Sequence, residues 1–270
     1  MPSARFPTLY LSHGGGPWPY MDEESRRPYA RLERSLRELP RQLPGKPEAI
    51  LVVSGHWEAR DFAVMSDAAP AMIYDYGGFP EELYHIRYPA AGSPRLATRA
   101  LSLIQQAGLP ARASAGRGFD HGTYAILAVT HPQADVPVFQ VSLRADFDPE
   151  AHLRLGRALA PLRDEGVLIV GSGSSYHNLR RFFGPRGRRQ DSVQFDAWLR
   201  ETLVESAPEQ RSQRLLEWER APAAREAHPR EEHLLPLHVA VGAAEEEPGR
   251  VTYREDEFLG SITLSSYRFG

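Results

Sequence analysis

A chain of 270 residues, 41 % hydrophobic and 25 % charged, has an ordinary globular balance and is long enough for one large domain or two small ones. Its net charge of −3 and the lack of any basic stripe argue against nucleic acid as the partner; of 32 basic residues only Lys46 is a lysine, and the arginines are scattered among glutamates. With no cysteine, disulfides and thiolate metal sites are excluded, so a transition metal has to rest on His, Asp or Glu.

The N-terminus, 1–7, carries no apolar signal core, and no apolar run reaches the roughly 18 residues a membrane span needs. That argues against a membrane partner and makes the cytoplasm the expected location. Residues 8–12 read as a buried strand that runs into His13 and three glycines. The spacing of Leu32, Leu36 and Leu39 predicts a helix over 27–39. A second apolar strand, 49–54, ends in Gly55-His56-Trp57. The stretch 68–93, rich in Gly, Pro and aromatics, reads as a long ordered loop, and loops of that length in compact domains are often functional.

Helical spacing returns over 94–107, opened by a Ser-Pro pair suited to an N-cap and first turn. After Gly118-Phe119-Asp120-His121-Gly122 comes a strand over 136–143, then a helix over 149–163 that stops before Glu165-Gly166. A strand over 167–171 precedes a run of Gly and Ser ending at His177. Helices follow over 193–205 and 232–242, separated by a stretch dense in Arg, Glu and Gln that reads as a solvated helix and loop. A last strand covers 261–266. Strands alternating with helices, with no repeat and no dividing linker, predict an α/β layered fold around one mostly buried sheet.

The ten histidines carry the chemistry. His13 and His56 share one context: an apolar strand, small residues, then histidine. In α/β sheets ligands collect outside the carboxyl ends of strands, so two histidines placed alike would meet there. His177 repeats the pattern with a longer Gly/Ser run between strand and histidine. His121 sits between glycines beside Asp120, a carboxylate able to orient a ring, although sequence neighbours rarely face each other. His233, at the start of a predicted helix, reads on its own as a surface residue. His85, His131, His152, His228 and His238 read as structural or solvent histidines. No His-Glu-x-x-His, no phosphate-binding loop and no Gly-x-Ser-x-Gly elbow is present.

Taken together and in order, several segments resemble the 4,5-DOPA extradiol dioxygenase family within the class III, LigB-type extradiol ring-cleavage dioxygenases. They are Leu11-Ser12-His13-Gly14, Val53-Ser54-Gly55-His56-Trp57, Tyr74-Asp75-Tyr76-Gly77-Gly78-Phe79-Pro80 and Tyr88-Pro89-Ala90-Ala91-Gly92-Ser93-Pro94. Gly118-Phe119-Asp120-His121-Gly122, His177-Asn178-Leu179-Arg180 and Glu232-His233-Leu234-Leu235-Pro236-Leu237 complete the set. The resemblance runs from about residue 8 to the C-terminus. It implies one catalytic domain over 1–270, with a central mixed sheet flanked by helices and one divalent non-haem metal.

The resemblance also implies roles. His13, His56 and His233 match metal-ligand positions. His177 matches an active-site histidine that serves as acid/base or as a further ligand, and His121 a second one near dioxygen and substrate. In the wider class the third ligand is a glutamate; here His233 stands at that position, with Glu231 and Glu232 beside it. The plant members carry a different stretch after the fourth histidine from His177-Asn178-Leu179-Arg180, which leaves the physiological catechol open.

Extradiol cleavage brings a catechol and O2 together on one metal, and three protein ligands leave positions for both. A base must take a catechol proton, a task histidine suits because it titrates near neutrality. Trp57, Tyr76 and Phe79 would supply an aromatic wall for the ring, or ordinary packing. Iron(II) fits the redox step, but the same neutral histidines suit zinc, which isolated protein would readily carry. Two rival readings follow: a zinc hydrolase acting on a small ester or amide, and a non-catalytic binding protein on the same fold. Oligomeric state is left open.

Overall fold

The longest apolar runs end up at the centre, because a strand buried on both faces has to be apolar along its whole length. The computed structural model describes residues 5–182 and 189–270; the first residues of the N-terminal stretch read above lie outside them. β1 (Thr8–Ser12) and β6 (Val167–Gly173) are buried throughout, and β2 (Ala49–Ala59) and β5 (Val138–Arg144) nearly so. These four form the parallel middle of the sheet: β5 pairs with β2, β2 with β6, and β6 with β1.

β3 (Phe62–Met65), β4 (Ala111–Ser114), β7 (Gly249–Phe258) and β8 (Ile262–Phe269) extend it to eight strands among the described residues, in the order β4-β3-β5-β2-β6-β1-β8-β7. β3 against β5, β8 against β1 and β7 against β8 run antiparallel, so the sheet is mixed. Alternate residues of β1 enter different apolar clusters, Leu9 and Leu11 one and Tyr10 the other, as the period of two along a strand requires.

The helices cover these faces: α1 (Ala30–Glu38), α2 (Pro94–Gln106), α3 (His121–Thr130), α4 (Pro149–Leu159), α5 (Arg189–Arg200), α6 (Pro208–Leu216) and α7 (Leu235–Gly242). None is long and apolar enough to cross a membrane among the described residues. The expected α/β fold with a mixed, helix-flanked sheet is therefore what forms.

Four differences from the sequence expectations matter. α3 was not expected, because it is apolar nearly all round and has no amphipathic period. β4 and β7 lie at the edges with exposed, polar positions, so they lack the apolar signature of the middle strands. The stretch formed by α6 and the turns after it is more than a solvated helix and loop: Leu215, Trp218, Ala227 and His228 are buried in it. Finally, α7 starts at Leu235 rather than at Glu232, so His233 sits on the turn before the helix, next to the ends of β2 and β6.

Candidate metal centre

Because β1, β2 and β6 run parallel, their carboxyl ends open on one edge of the sheet. His13 follows β1 directly and is held by its own N–H to Gly173 O (3.0 Å) and by Trp18 Nε1–H donating to its carbonyl (2.6 Å). His56 lies in β2 itself. There β2 pairs with β5 at Val53↔Val141 and next at Glu58↔Leu143, so β2 carries extra residues, and this bulge contains His56. His233 arrives on the turn before α7, which closes onto β6: a Cβ on Gly173 would lie 2.0 Å from His233 O. His121 is the first residue of α3, whose backbone approaches β2 at Gly122, where a Cβ would meet Ser54 Oγ at 2.5 Å and His56 Cδ2 at 2.9 Å. Any side chain at either glycine would push a histidine out of the site.

The rings converge tightly. His56 Nε2 lies 3.3 Å from His13 Nε2 and 3.1 Å from His233 Nε2. Donor–acceptor logic shows these are not ordinary hydrogen bonds. His13 Nδ1–H donates to Gly14 O (2.6 Å), His233 Nδ1–H donates to Glu232 Oε1 (3.0 Å), and His56 Nδ1 faces Asp75 Oδ2 at 3.3 Å. Those hydrogen bonds place the protons of His13 and His233 on Nδ1, and the Asp75 carboxylate facing His56 Nδ1 favours the same tautomer there, so each Nε2 carries a bare lone pair. Burial, reinforced by the neighbouring rings, holds all three histidines well below the usual imidazole range and so neutral.

Three lone pairs aimed at one another repel unless a cation lies between them. Two nitrogens each about 2.0–2.1 Å from one ion are about 2.9 Å apart at a right angle and about 3.4 Å at the tetrahedral angle. The 3.1 and 3.3 Å separations fall between those values. The donor set therefore fits a divalent metal, and each Nδ1 faces a carbonyl or carboxylate oxygen of the kind that metal-bound histidines take.

Two further histidines flank these three. His121 stands beside His56, ring centroids 4.0 Å apart, and its Nδ1–H and backbone N–H both donate to Asp75 Oδ1 (2.9 and 3.0 Å). Ligand atoms of His13, His56 and His121 all lie within 4.8 Å of one another, as do those of His177, Glu232 and His233. The two groups share no residue; the Nε2 contacts of His56 with His13 in its own group and with His233 in the other join them, and these set the centre. His177 stacks on His233 at 3.4 Å and donates Nδ1–H to Glu232 Oε1 (3.0 Å), which leaves its Nε2 for chemistry.

The carboxylate that orients His121 is thus Asp75, from the long loop, and not its sequence neighbour Asp120. Asp120 caps α3 through Thr123 N–H (3.0 Å), takes a hydrogen bond from Ser54 Oγ (2.8 Å) and pairs with Arg117. Burial pushes Asp75 up, but the hydrogen bond and charge of His121 outweigh it and hold the carboxyl below its ordinary range.

A cavity of about 300 Å³ opens onto the histidines. Opposite them it is lined by Tyr29, Leu179, Phe182, Phe258, Leu259 and Leu264. The aromatic wall expected from Trp57, Tyr76 and Phe79 is not part of this lining. Trp57 is buried under the Arg117 guanidinium, Tyr76 donates its hydroxyl to Leu83 O, and Phe79 packs on Gly16. Apart from Leu179, which lies in the His177-Asn178-Leu179-Arg180 segment, the wall residues come from segments in which no sequence signal marked them. Asp75 and Glu232 did carry one: each is an acidic residue inside a segment that already held the family resemblance.

Residues 7–269 match the family described as the catalytic LigB subunit of aromatic ring-opening dioxygenase. A 4,5-DOPA dioxygenase extradiol from Beta vulgaris is 38% identical over 97% of this chain and 96% of its own. One from Escherichia coli (strain K12) is 34% identical over 100% of this chain and 97% of its own. Dioxygenase tasH from Hapsidospora irregularis is 36% identical over 98% of this chain and 85% of its own. In three dimensions the chain resembles the crystal structure of an uncharacterized protein from Escherichia coli K12, with TM-score 0.79 and 31% identity, covering 98% of this chain and 100% of the other.

Proposed function

Since the chain belongs to the LigB family of catalytic subunits of aromatic ring-opening dioxygenases and is an extradiol dioxygenase, we propose that it opens the ring of a small catechol at an iron(II) ion held by Nε2 of His13, His56 and His233. The observation that carries this reading is the convergence of those three neutral nitrogens at 3.1 and 3.3 Å, each with its proton on the other side of the ring. The whole chain, 1–270, acts as one catalytic domain.

Iron(II) bound there would supply electrons and neighbouring open positions for catechol and O2. The protein's own groups do the rest. His177 Nε2 accepts a catechol hydroxyl proton and later returns it, with Glu232 holding the ring by its Nδ1–H. His121, fixed by Asp75 on the other flank, presents Nε2 to the second reacting partner. Tyr29, Phe182, Phe258 and Leu264 seat the aromatic ring and exclude water. The relatives named for 4,5-DOPA make catechols with a carbon side chain the first substrates to try.

The test is anaerobic reconstitution of apo-protein with iron(II), followed by a catechol panel including L-DOPA, caffeate and protocatechuate. Oxygen uptake with a yellow product is expected. No uptake across the panel overturns the reading, as does ester turnover with zinc that ignores oxygen. The all-histidine donor set also favours zinc by intrinsic affinity, so protein purified in air is expected to carry zinc and to gain uptake only after exchange.

A further inference from the structure

Each of the two carboxylates beside the centre touches two histidines of different function. Asp75 Oδ1 accepts from His121 Nδ1–H at 2.9 Å while its Oδ2 lies 3.3 Å from Nδ1 of His56. Glu232 Oε1 accepts from His177 Nδ1–H at 3.0 Å and from His233 Nδ1–H at 3.0 Å. We propose that Asp75 and Glu232 are paired positioning residues, each tying one metal-ligand histidine to one proton-transferring histidine, so that metal geometry and proton transfer are set by the same two side chains. The proposal rests on the ligand assignment of His13, His56 and His233 made above.

The two carboxylates come from segments far apart in the chain, a loop between β3 and α2 and the turn before α7, yet they repeat one arrangement on opposite flanks. A ring tethered at Nδ1 is fixed in orientation and in tautomer, which settles where its Nε2 points. Sharing the tether couples the pair: moving the carboxylate disturbs both rings together. The stacking of His177 on His233 at 3.4 Å adds contact on the Glu232 side, and the 4.0 Å approach of His121 to His56 does so on the Asp75 side.

The atoms used differ between the flanks, and that difference makes the proposal testable. Glu232 makes both contacts through a single oxygen, Oε1. Its Oε2 makes no hydrogen bond within the protein and faces only Arg230 Nη1, at 4.0 Å. A glutamine there keeps a carbonyl oxygen with two lone pairs for both Nδ1–H groups, and its NH2 takes the place of an oxygen that accepts no hydrogen bond, so no existing hydrogen bond is lost. Asp75 uses both oxygens. An asparagine there can serve His121 or His56, but its NH2 then faces the other ring's N–H, donor against donor.

The experiment measures metal affinity by chelator competition, with cobalt(II) or zinc as the probe, and iron(II)-supported kcat and KM, on four variants. Thermal melting of each apo-variant checks folding. Glu232→Ala and Asp75→Asn are expected to weaken metal binding about 10- to 100-fold and to lower kcat with little change in KM. Glu232→Gln is expected to rescue the alanine variant to within about threefold of wild type in both readouts, and Asp75→Ala to match Asp75→Asn. Wild-type metal affinity in Glu232→Ala and Asp75→Asn overturns the proposal. So does a Glu232→Gln variant as damaged as Glu232→Ala, because the shared oxygen would then not be what holds the rings. Metal affinity is read without turnover, so the proposal is tested even if no catechol proves to be a substrate.

Discussion

Two sets of buried histidines in this molecule differ in what they do with their second ring nitrogen. His152, His228 and His238 are fully buried, and each gives a ring N–H to a main-chain carbonyl: His152 to Asp148 O (2.7 Å), His228 to Ser175 O (3.2 Å) and His238 to Leu215 O (3.0 Å). For His152 the other nitrogen accepts from Arg144 N–H at 3.2 Å, and the ring is satisfied within the protein. His13, His56 and His233 are as neutral and nearly as buried, yet their second nitrogens point at one another. Burial and neutrality alone therefore do not mark a metal site. His228 Nδ1 also lacks a donor, but it stands alone; what marks the metal site is that three such lone pairs converge on one point.

The sharpest way to break this comparison is to remove a ring from each set. His13→Ala, His56→Ala and His233→Ala should each abolish metal binding and oxygen uptake, by chelator competition and an oxygen electrode. His238→Ala should leave metal affinity within about threefold of wild type in whatever fraction folds, its effect lying in packing. Retention of metal by His233→Ala would place the third ligand elsewhere.

Next in size is the loss of proton transfer. His177→Ala is expected to lower kcat about 10²- to 10⁴-fold while still binding one metal, with His121→Ala in the same range. If His177→Ala loses metal as fully as His13→Ala does, His177 is a ligand and the division of roles proposed above is wrong.

A third prediction turns to the structural set. Burial pushes His152 down to about 4 and His228 down to about 3. At pH 7 both states are neutral at these sites and the stability is complete. As the pH falls through the unfolded value of about 6.5, the unfolded chain takes up a proton that the folded chain refuses, and stability is lost. For His152 the loss amounts to about 3 kcal/mol by pH 4. Urea unfolding of the apo-protein between pH 7 and pH 4 should show it, and His152→Gln should flatten the slope. A stability independent of pH over that window would contradict the burial of neutral rings.

The smallest expected effect lies at the cavity wall. Phe258→Ala should raise KM for a catechol about tenfold with kcat less affected, and Trp57→Phe should leave KM within about twofold. The reverse pattern would restore the Trp57 wall that the sequence suggested.

The parallel middle of the sheet was legible because β1, β2 and β6 are unbroken apolar runs, and their carboxyl ends carry the histidines directly. That placement alone brought His13 and His56 together. His233 could not be read from local pattern: it precedes α7 on a turn, and only long-range packing of that turn onto Gly173 brings it to the edge. The family resemblance supplied it instead. α3 escaped because a helix buried all round has no apolar stripe, and the cavity wall escaped because Phe258 and Leu264 carry nothing that separates them from core. Asp75 escaped for a further reason, since its partner His121 lies 46 residues away and the tempting carboxylate, Asp120, sits next door capping the helix.

The central claim is that one ion sits on three Nε2 atoms. Anomalous diffraction from crystals of the metal-loaded protein, recorded at the edge of the bound metal, tests it most directly. The account predicts a single peak per chain about 2.0–2.2 Å from Nε2 of His13, His56 and His233. A peak held instead by His177 and Glu232, or by His121 in place of His233, would contradict it.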